Sequence, residues 1–215
     1  MKMGENIEQN DKPFNIAIVG LGGQGVITLT KLIASTSFGL GKKVCFNEIH
    51  GLSQRGGSVQ SLIRLNEAHN PIFAAEDVDL VIGMEKLETI RYLYLAKKAN
   101  PRVIMTNKYD IRSTHDLGLV TFPDEQEIDK EIARYASEVY LFDALGYEEN
   151  FKGKFKPLNV PVFAILTTFP ELGLPEKESK ELVLDYLGRN MFIRQINKKA
   201  FEEGPKWLKK LEGSS

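Results

Sequence analysis

Two glycine-rich stretches carry the residues whose types and spacing could do chemistry: Gly20-Leu-Gly-Gly-Gln-Gly25 and Gly51-Leu-Ser-Gln-Arg-Gly-Gly57. In the first, Gly20, Gly22 and Gly25 fit a GxGxxG pattern between an apolar run and a helical pattern. Glycine suits such a turn because the chain reverses tightly and a ligand must come close to the backbone. Amides at the helix start can then hold an anion, helped by the helix dipole. Gly23 removes one more side chain and widens the opening. In the second stretch Arg55 stands among Ser53, Gln54, Gly56 and Gly57, with His50 just ahead. An arginine flanked by glycines is unobstructed and can grip a phosphate or carboxylate in bidentate fashion. His50 could donate to an anion or move a proton. Gln54 and Ser58 are hydrogen-bonding groups with no specific chemistry.

The elements that must position these residues follow from periodicity. Phe14–Val19 is the first strand and runs into the first glycine turn. A helix follows from about Gln24 to Gly39, with Val26, Leu29, Ile33 and Leu40 on its buried face. Gly41 is a plausible stop. The second strand, Lys43–Ile49, leads into the second glycine stretch, so a parallel sheet would place both loops at one carboxyl edge, where such sheets bind ligands. Residues Ser58 to Leu65 alternate with a period of two and form a strand with no helix before it. The second and third strands are therefore expected to be antiparallel, making the sheet mixed.

Further along, Val78–Met84 reads as a buried strand, Glu85–Lys98 as a helix and Val103–Thr106 as a strand. Val120–Phe122 is a short strand candidate. Asp124 to Glu127 forms a capping box ahead of a helix continued by Ile128, Ile132 and Tyr135. Val139–Phe142 is expected to be the last sheet strand, with 144–157 irregular. Val160–Phe169, Pro175–Leu187 and Asn190–Glu203 read as helices. Alternating strands and helices predict an α/β fold, a three-layer α/β/α sandwich around a mixed, mostly parallel open sheet. The expected organisation is a flexible tail over 1–13, one domain over 14–204 and a C-terminal tail over 205–215.

The remaining polar residues read as structural. Cys45 is expected to fill core space, and Asp77 and Asp79 to be solvated. Glu85 and Glu88 suit a helix dipole, and Lys97-Lys98, Lys198-Lys199 and Lys209-Lys210 suit helix ends.

Bulk composition narrows the partners. Net charge is −1, so no global field favours nucleic acid or an anionic membrane. One cysteine excludes an internal disulfide and any four-cysteine metal site or cluster built from this chain alone. No apolar run approaches the ~20 residues of a membrane helix, and the N-terminus lacks the apolar core of a signal peptide, so a cytoplasmic address is expected. GxSxG, HExxH and Walker motifs are missing, leaving no self-contained catalytic set. A nicotinamide enzyme remains an alternative on the glycine pattern, with Glu48 as the one acid for the ribose. Glu48 lies 28 residues after Gly20, later than the usual ~20, and a strand replaces the expected crossover helix. A non-catalytic interaction module is the other alternative.

Three segments together resemble a known family: Gly20-Leu-Gly-Gly-Gln-Gly-Val26, Glu48-Ile-His-Gly-Leu-Ser-Gln-Arg-Gly-Gly-Ser-Val59 and Asp79-Leu-Val-Ile-Gly-Met-Glu-Lys-Leu-Glu88. Asn197-Lys-Lys-Ala-Phe-Glu-Glu-Gly204 also fits. Over residues 14–204 the chain resembles the gamma-type subunits of the 2-oxoacid:ferredoxin oxidoreductases, and in particular the indolepyruvate ferredoxin oxidoreductase beta-subunit branch. That resemblance implies an accessory subunit of an enzyme that decarboxylates a 2-oxoacid oxidatively on thiamine diphosphate. Electrons would pass through iron–sulfur clusters to ferredoxin and the acyl group to coenzyme A. It implies that thiamine and clusters sit in an alpha-subunit partner, and that the isolated chain is inactive. Coenzyme A contact would fall on Gly20, Gly22, Gly23, Gly25 and the His50 to Gly57 segment. Ser53 and Gln54 replace lysines of the pyruvate-specific branch, leaving Arg55 as the nearest cation. Pro161 departs from an apolar, glycine-containing run and implies altered packing only.

Overall fold

The computed structural model describes residues 12–50, 57–66, 69–97, 102–109, 123–151, 157–188 and 190–211. Its centre is a seven-stranded sheet in the order β2-β3-β1-β4-β5-β6-β7. The strands are β1 (Phe14–Leu21), β2 (Val44–His50), β3 (Ser58–Leu65), β4 (Leu80–Gly83), β5 (Arg102–Thr106), β6 (Glu138–Phe142) and β7 (Leu208–Leu211). β1, β4, β5 and β6 pair in parallel, while β3 is antiparallel to both β1 and β2, and β7 is antiparallel to β6. β2 therefore runs with β1, and five of the seven strands share one direction. The expected mixed α/β sandwich is the fold observed, including the antiparallel β2–β3 pair.

Among the described residues seven α-helices flank the sheet: α1 (Val26–Gly39), α2 (Lys86–Arg91), α3 (Glu125–Tyr135), α4 (Ala144–Asn150), α5 (Asn159–Leu166), α6 (Glu176–Leu187) and α7 (Met191–Glu203). Strand alternation sends the side chains to two separate cores. Ile16, Ile18, Ile63, Ile82 and Ile104 point to the layer that contains α1, α5 and α7, and meet Leu29, Ile33, Phe163 and Phe201. Ala17, Val19, Leu62, Val81 and Val103 point the other way and meet Leu93, Leu95, Ile128 and Ile132. β1 is buried along all eight residues because both layers cover it. α5 is apolar all round, with seven of its eight residues buried, as a helix packed between α1 and α7 requires. Pro161 sits in its first turn, where its missing N–H costs no helical bond.

Several elements differ from the sequence reading. The helix expected over Glu85–Lys98 stops at Arg91; Tyr92 ends it, and a 3-10 turn over Leu93–Leu95 leads to a bridge between Val78 and Ala96. The segment read as irregular after residue 144 begins with α4. Asp143 caps that helix by accepting from the Gly146 N–H at 2.9 Å, and Asn107 holds Asp143 at 2.7 Å. The sheet does not end at β6. Residues 205–211, set apart in the sequence as a tail, form a 3-10 turn and β7, so Lys209 and Lys210 lie on a strand and not at a helix end. Asp79 is not simply solvated: it accepts from the Asn15 N–H at 2.8 Å and pairs with Lys97 at 2.6 Å. Asp77 pairs with Arg64 at 3.5 Å. Cys45 is half-buried on β2 and does not fill the core. The candidate strand at 120–122 and residues 1–11 of the expected tail lie outside the described residues.

Candidate functional site

The first glycine stretch closes β1 and opens α1 at the carboxyl edge of the sheet. Leu21 N–H donates to the Gln24 side-chain oxygen at 2.8 Å, and Gln24 N–H donates to the Leu21 carbonyl at 3.0 Å. This reciprocal pair forms the turn. Gly23 and Gly25 take φ of 98° and 88°, the left-handed region where a β-carbon is strained. Gly20 is required for a different reason: a β-carbon there would lie 2.9 Å from both Gln24 and Met84. At Gly23 a β-carbon would meet nothing within 4 Å, so that side of the turn is open.

α1 begins at Gly25 without a side-chain cap and without an acid in its first turn. The N–H groups of a first helical turn lack intrahelical partners and carry the positive end of the dipole. A phosphate-bearing group fits such a start. Gly22 N–H is spent on the Gly57 carbonyl at 2.8 Å, and Gln24 N–H on Leu21. Among the described residues, the Gly23 N–H and the first N–H groups of α1 are the amides of this turn left without a backbone acceptor.

The Gly22–Gly57 bond brings the two glycine stretches together, as a common carboxyl edge requires. Gly57 enters β3, whose first residue, Ser58, pairs with Leu21 of β1. His50 ends β2 opposite Val59; its side chain lies outside the described residues. Ser53, Gln54, Arg55 and Gly56 lie outside them as well. Glu48 sits on β2 with β3 between it and β1. Strands are spaced about 4.8 Å apart, so Glu48 is about one strand further from the glycine turn than an adjacent second strand would place it. That geometry disfavours a nicotinamide ribose site.

The same edge holds acidic groups that the sequence left as ordinary helix-start residues. Glu85 is 0% exposed and caps α2, accepting from the Glu88 N–H at 2.7 Å. Glu88 is 3% exposed; it accepts from Ser58 Oγ at 2.5 Å and pairs with Arg91 at 3.1 Å. Tyr92 Oη lies 3.0 Å from Ser58 Oγ. Lys86, also buried, reaches Asp129 at 2.8 Å and Glu125 at 3.2 Å and so ties α2 to α3. Nearby, burial pushes the Tyr109 phenol upward, with Glu85 and Glu125 adding to the shift. Periodicity could not reveal the buried carboxylates, because Glu85 and Glu88 read as a favourable first turn. Their signal lay in the buried strand directly ahead, which drives the start of α2 into the core.

Comparison with known proteins decides the family. A family model described as pyruvate ferredoxin/flavodoxin oxidoreductase matches residues 15–207. The chain belongs to that family. It is a gamma-type chain, a subunit of a ferredoxin-dependent 2-oxoacid oxidoreductase. It is 30% identical to the indolepyruvate oxidoreductase subunit IorB of Thermococcus kodakarensis over 207 residues, covering 94% of this chain and 99% of that one. The IorB subunit of Pyrococcus horikoshii is 31% identical over 205 residues, covering 93% and 98%. Among solved structures, pyruvate oxidoreductase subunit PORC of Thermotoga maritima superposes with a TM-score of 0.66 at 16% identity, covering 94% of this chain and 99% of that one. A 2-oxoglutarate:ferredoxin oxidoreductase from Magnetococcus marinus, solved with 2-oxoglutarate, coenzyme A and succinyl-CoA bound, superposes at 0.63 and 18% identity. The chain covers 32% of that protein and is 95% covered by it. At those identities the structures speak for the fold.

Proposed function

We propose that this chain is the accessory subunit of an indolepyruvate-type oxidoreductase and that its glycine-rich edge faces the acyl acceptor, coenzyme A. The observation that carries the substrate class is the near-full-length similarity to IorB subunits at about 30% identity. The junction of the glycine turn with the Gly57 entry to β3 supports the placing of the acceptor site. A partner subunit would hold thiamine diphosphate and the iron–sulfur clusters and pass electrons to ferredoxin. Thiamine, bound there, would supply the carbanion chemistry of decarboxylation. This chain's part is to bind and orient. Amides at the start of α1 receive a phosphate, and Arg55 supplies a cation to the same group or to a neighbouring one.

Two measurements test the reading. The isolated chain should show no indolepyruvate-dependent viologen reduction in the presence of coenzyme A, whereas the complex assembled with its partner should. Turnover by the chain alone would sink the assignment. In the complex, Arg55→Ala should weaken coenzyme A binding by about tenfold or more, since a charge-assisted contact is worth about 1.5–3 kcal/mol. Unchanged binding would remove Arg55 from the acceptor site.

A further inference from the structure

Glu88 is a carboxylate that core packing does not call for. It is 3% exposed, and burying a charge costs several kcal/mol unless hydrogen bonds offset it. Its two oxygens are both engaged: Oε1 with Arg91 at 3.1 Å and Oε2 with Ser58 Oγ at 2.5 Å. The direction of the network follows from this. An ionised carboxylate only accepts, so Ser58 gives its single hydrogen to Glu88. Tyr92 Oη, 3.0 Å from Ser58 Oγ, must then be the donor to it. The chain runs Tyr92 to Ser58 to Glu88, each link fixing the orientation of the next.

Ser58 is the first residue of β3, and its neighbour Gly57 accepts the Gly22 N–H at 2.8 Å. Gly22 in turn lies inside the turn held by Leu21 and Gln24. A side chain on α2 is thus connected, through one serine and one backbone hydrogen bond, to the conformation of the glycine turn between β1 and α1. We propose that Ser58 and Glu88 act as a positioning pair for the Gly20–Gly25 turn, setting the aim of the amides at the start of α1. The pair touches no reacting atom; it acts through Gly57. This inference rests on the reading of that edge as the acyl-acceptor site.

The test uses the assembled complex and two readouts. Ser58→Ala removes the link while leaving room in the strand. It should raise KM for coenzyme A about fivefold with kcat within twofold. It should also speed hydrogen exchange of the Gly22 and Gln24 amides, the two held by hydrogen bonds in the turn, about tenfold. Ser58→Thr restores a hydroxyl on a strand-compatible residue and should return both readouts to wild type. Glu88→Gln alone should also raise KM, and added to Ser58→Ala it should change KM by less than twofold more, because the two residues act as a unit. Unchanged exchange in Ser58→Ala, failure of Ser58→Thr to rescue, or full additivity in the double variant overturns the proposal. Faster exchange with an unmoved KM upholds the positioning pair and overturns the acyl-acceptor reading on which it was placed.

Discussion

Gly83 at the end of β4 shows how tightly one residue can set this edge. A β-carbon there would lie 1.7 Å from Thr89 Oγ1, and Thr89 donates to the Glu85 carbonyl at 2.6 Å. The close approach lets α2 begin against the sheet and seats Glu85 and Glu88 in the interior. Gly83→Ala should therefore cost about 3 kcal/mol of stability in urea denaturation, at the upper end for overpacking. Thr89→Ala in the same chain should recover only part of that loss, because the β-carbon at position 89 would still lie 2.8 Å away. If Gly83→Ala unfolds at the wild-type midpoint, α2 is free to shift and the close contact is unimportant. The glycines of the first turn differ in kind. Gly23 and Gly25 are needed for their backbone angles, whereas Gly83 is needed for the absence of a side chain.

Among the elements, α3 isolates the worth of a helix start. Asp124 accepts from the Glu127 N–H at 2.8 Å, and Glu127 accepts from the Asp124 N–H at 3.2 Å, a complete capping box on an exposed helix end. Asp124→Ala should lower stability by about 1 kcal/mol, read as a shift of the denaturation midpoint with an unchanged slope. This box was legible because Asp124 and Glu127 stand three apart ahead of Ile128 and Ile132. β3 was legible for a comparable reason, since Val59, Ile63 and Leu65 share one face while Ser58, Gln60 and Arg64 share the other. Other elements depend on contacts far away in sequence. α4 forms around Asp143, held by Asn107 and by the Trp207 carbonyl, neither of which is a local signal. β7 reads Leu-Lys-Lys-Leu and becomes a strand only because β6 offers it an edge. At the candidate site, the glycine spacing pointed to the right edge of the sheet. The spent amide of Gly22 and the bond from Ser58 to Glu88 depend on β3 lying beside β1, which composition does not encode.

The molecule as a whole is two cores divided by one sheet, and Tyr147, the largest fully buried side chain among the described residues, reports on the core shared by α4, α5 and α7. Tyr147 packs 5.1 Å from Phe151 and donates to the Pro157 carbonyl at 3.3 Å. Burial pushes its phenol well above the usual tyrosine value, with Glu203 and Glu148 adding to the shift. The sign follows from linkage. Above about pH 10 the unfolded chain loses this proton and the folded chain keeps it, so stability falls as pH rises. Denaturation midpoints should be flat in this respect up to about pH 9.5 and decline beyond it, and Tyr147→Phe should lessen the decline. An equal decline in the phenylalanine variant would assign the effect to other groups.

The two borders of the sheet are not alike. At β7, Lys209 and Lys210 are exposed, and Lys210 pairs with Glu138 at 2.5 Å and lies 5.4 Å from the Tyr140 ring. Charged lysines on an outer strand discourage a further strand from adding. At β2 no lysine interrupts Val44 to His50, and Phe46 and Ile49 are exposed. Endless stacking of copies needs two receptive borders, one to give and one to take. With a single receptive border, strand pairing between copies stops at two. The lysine pair on β7 thus disfavours growth of the sheet from that border.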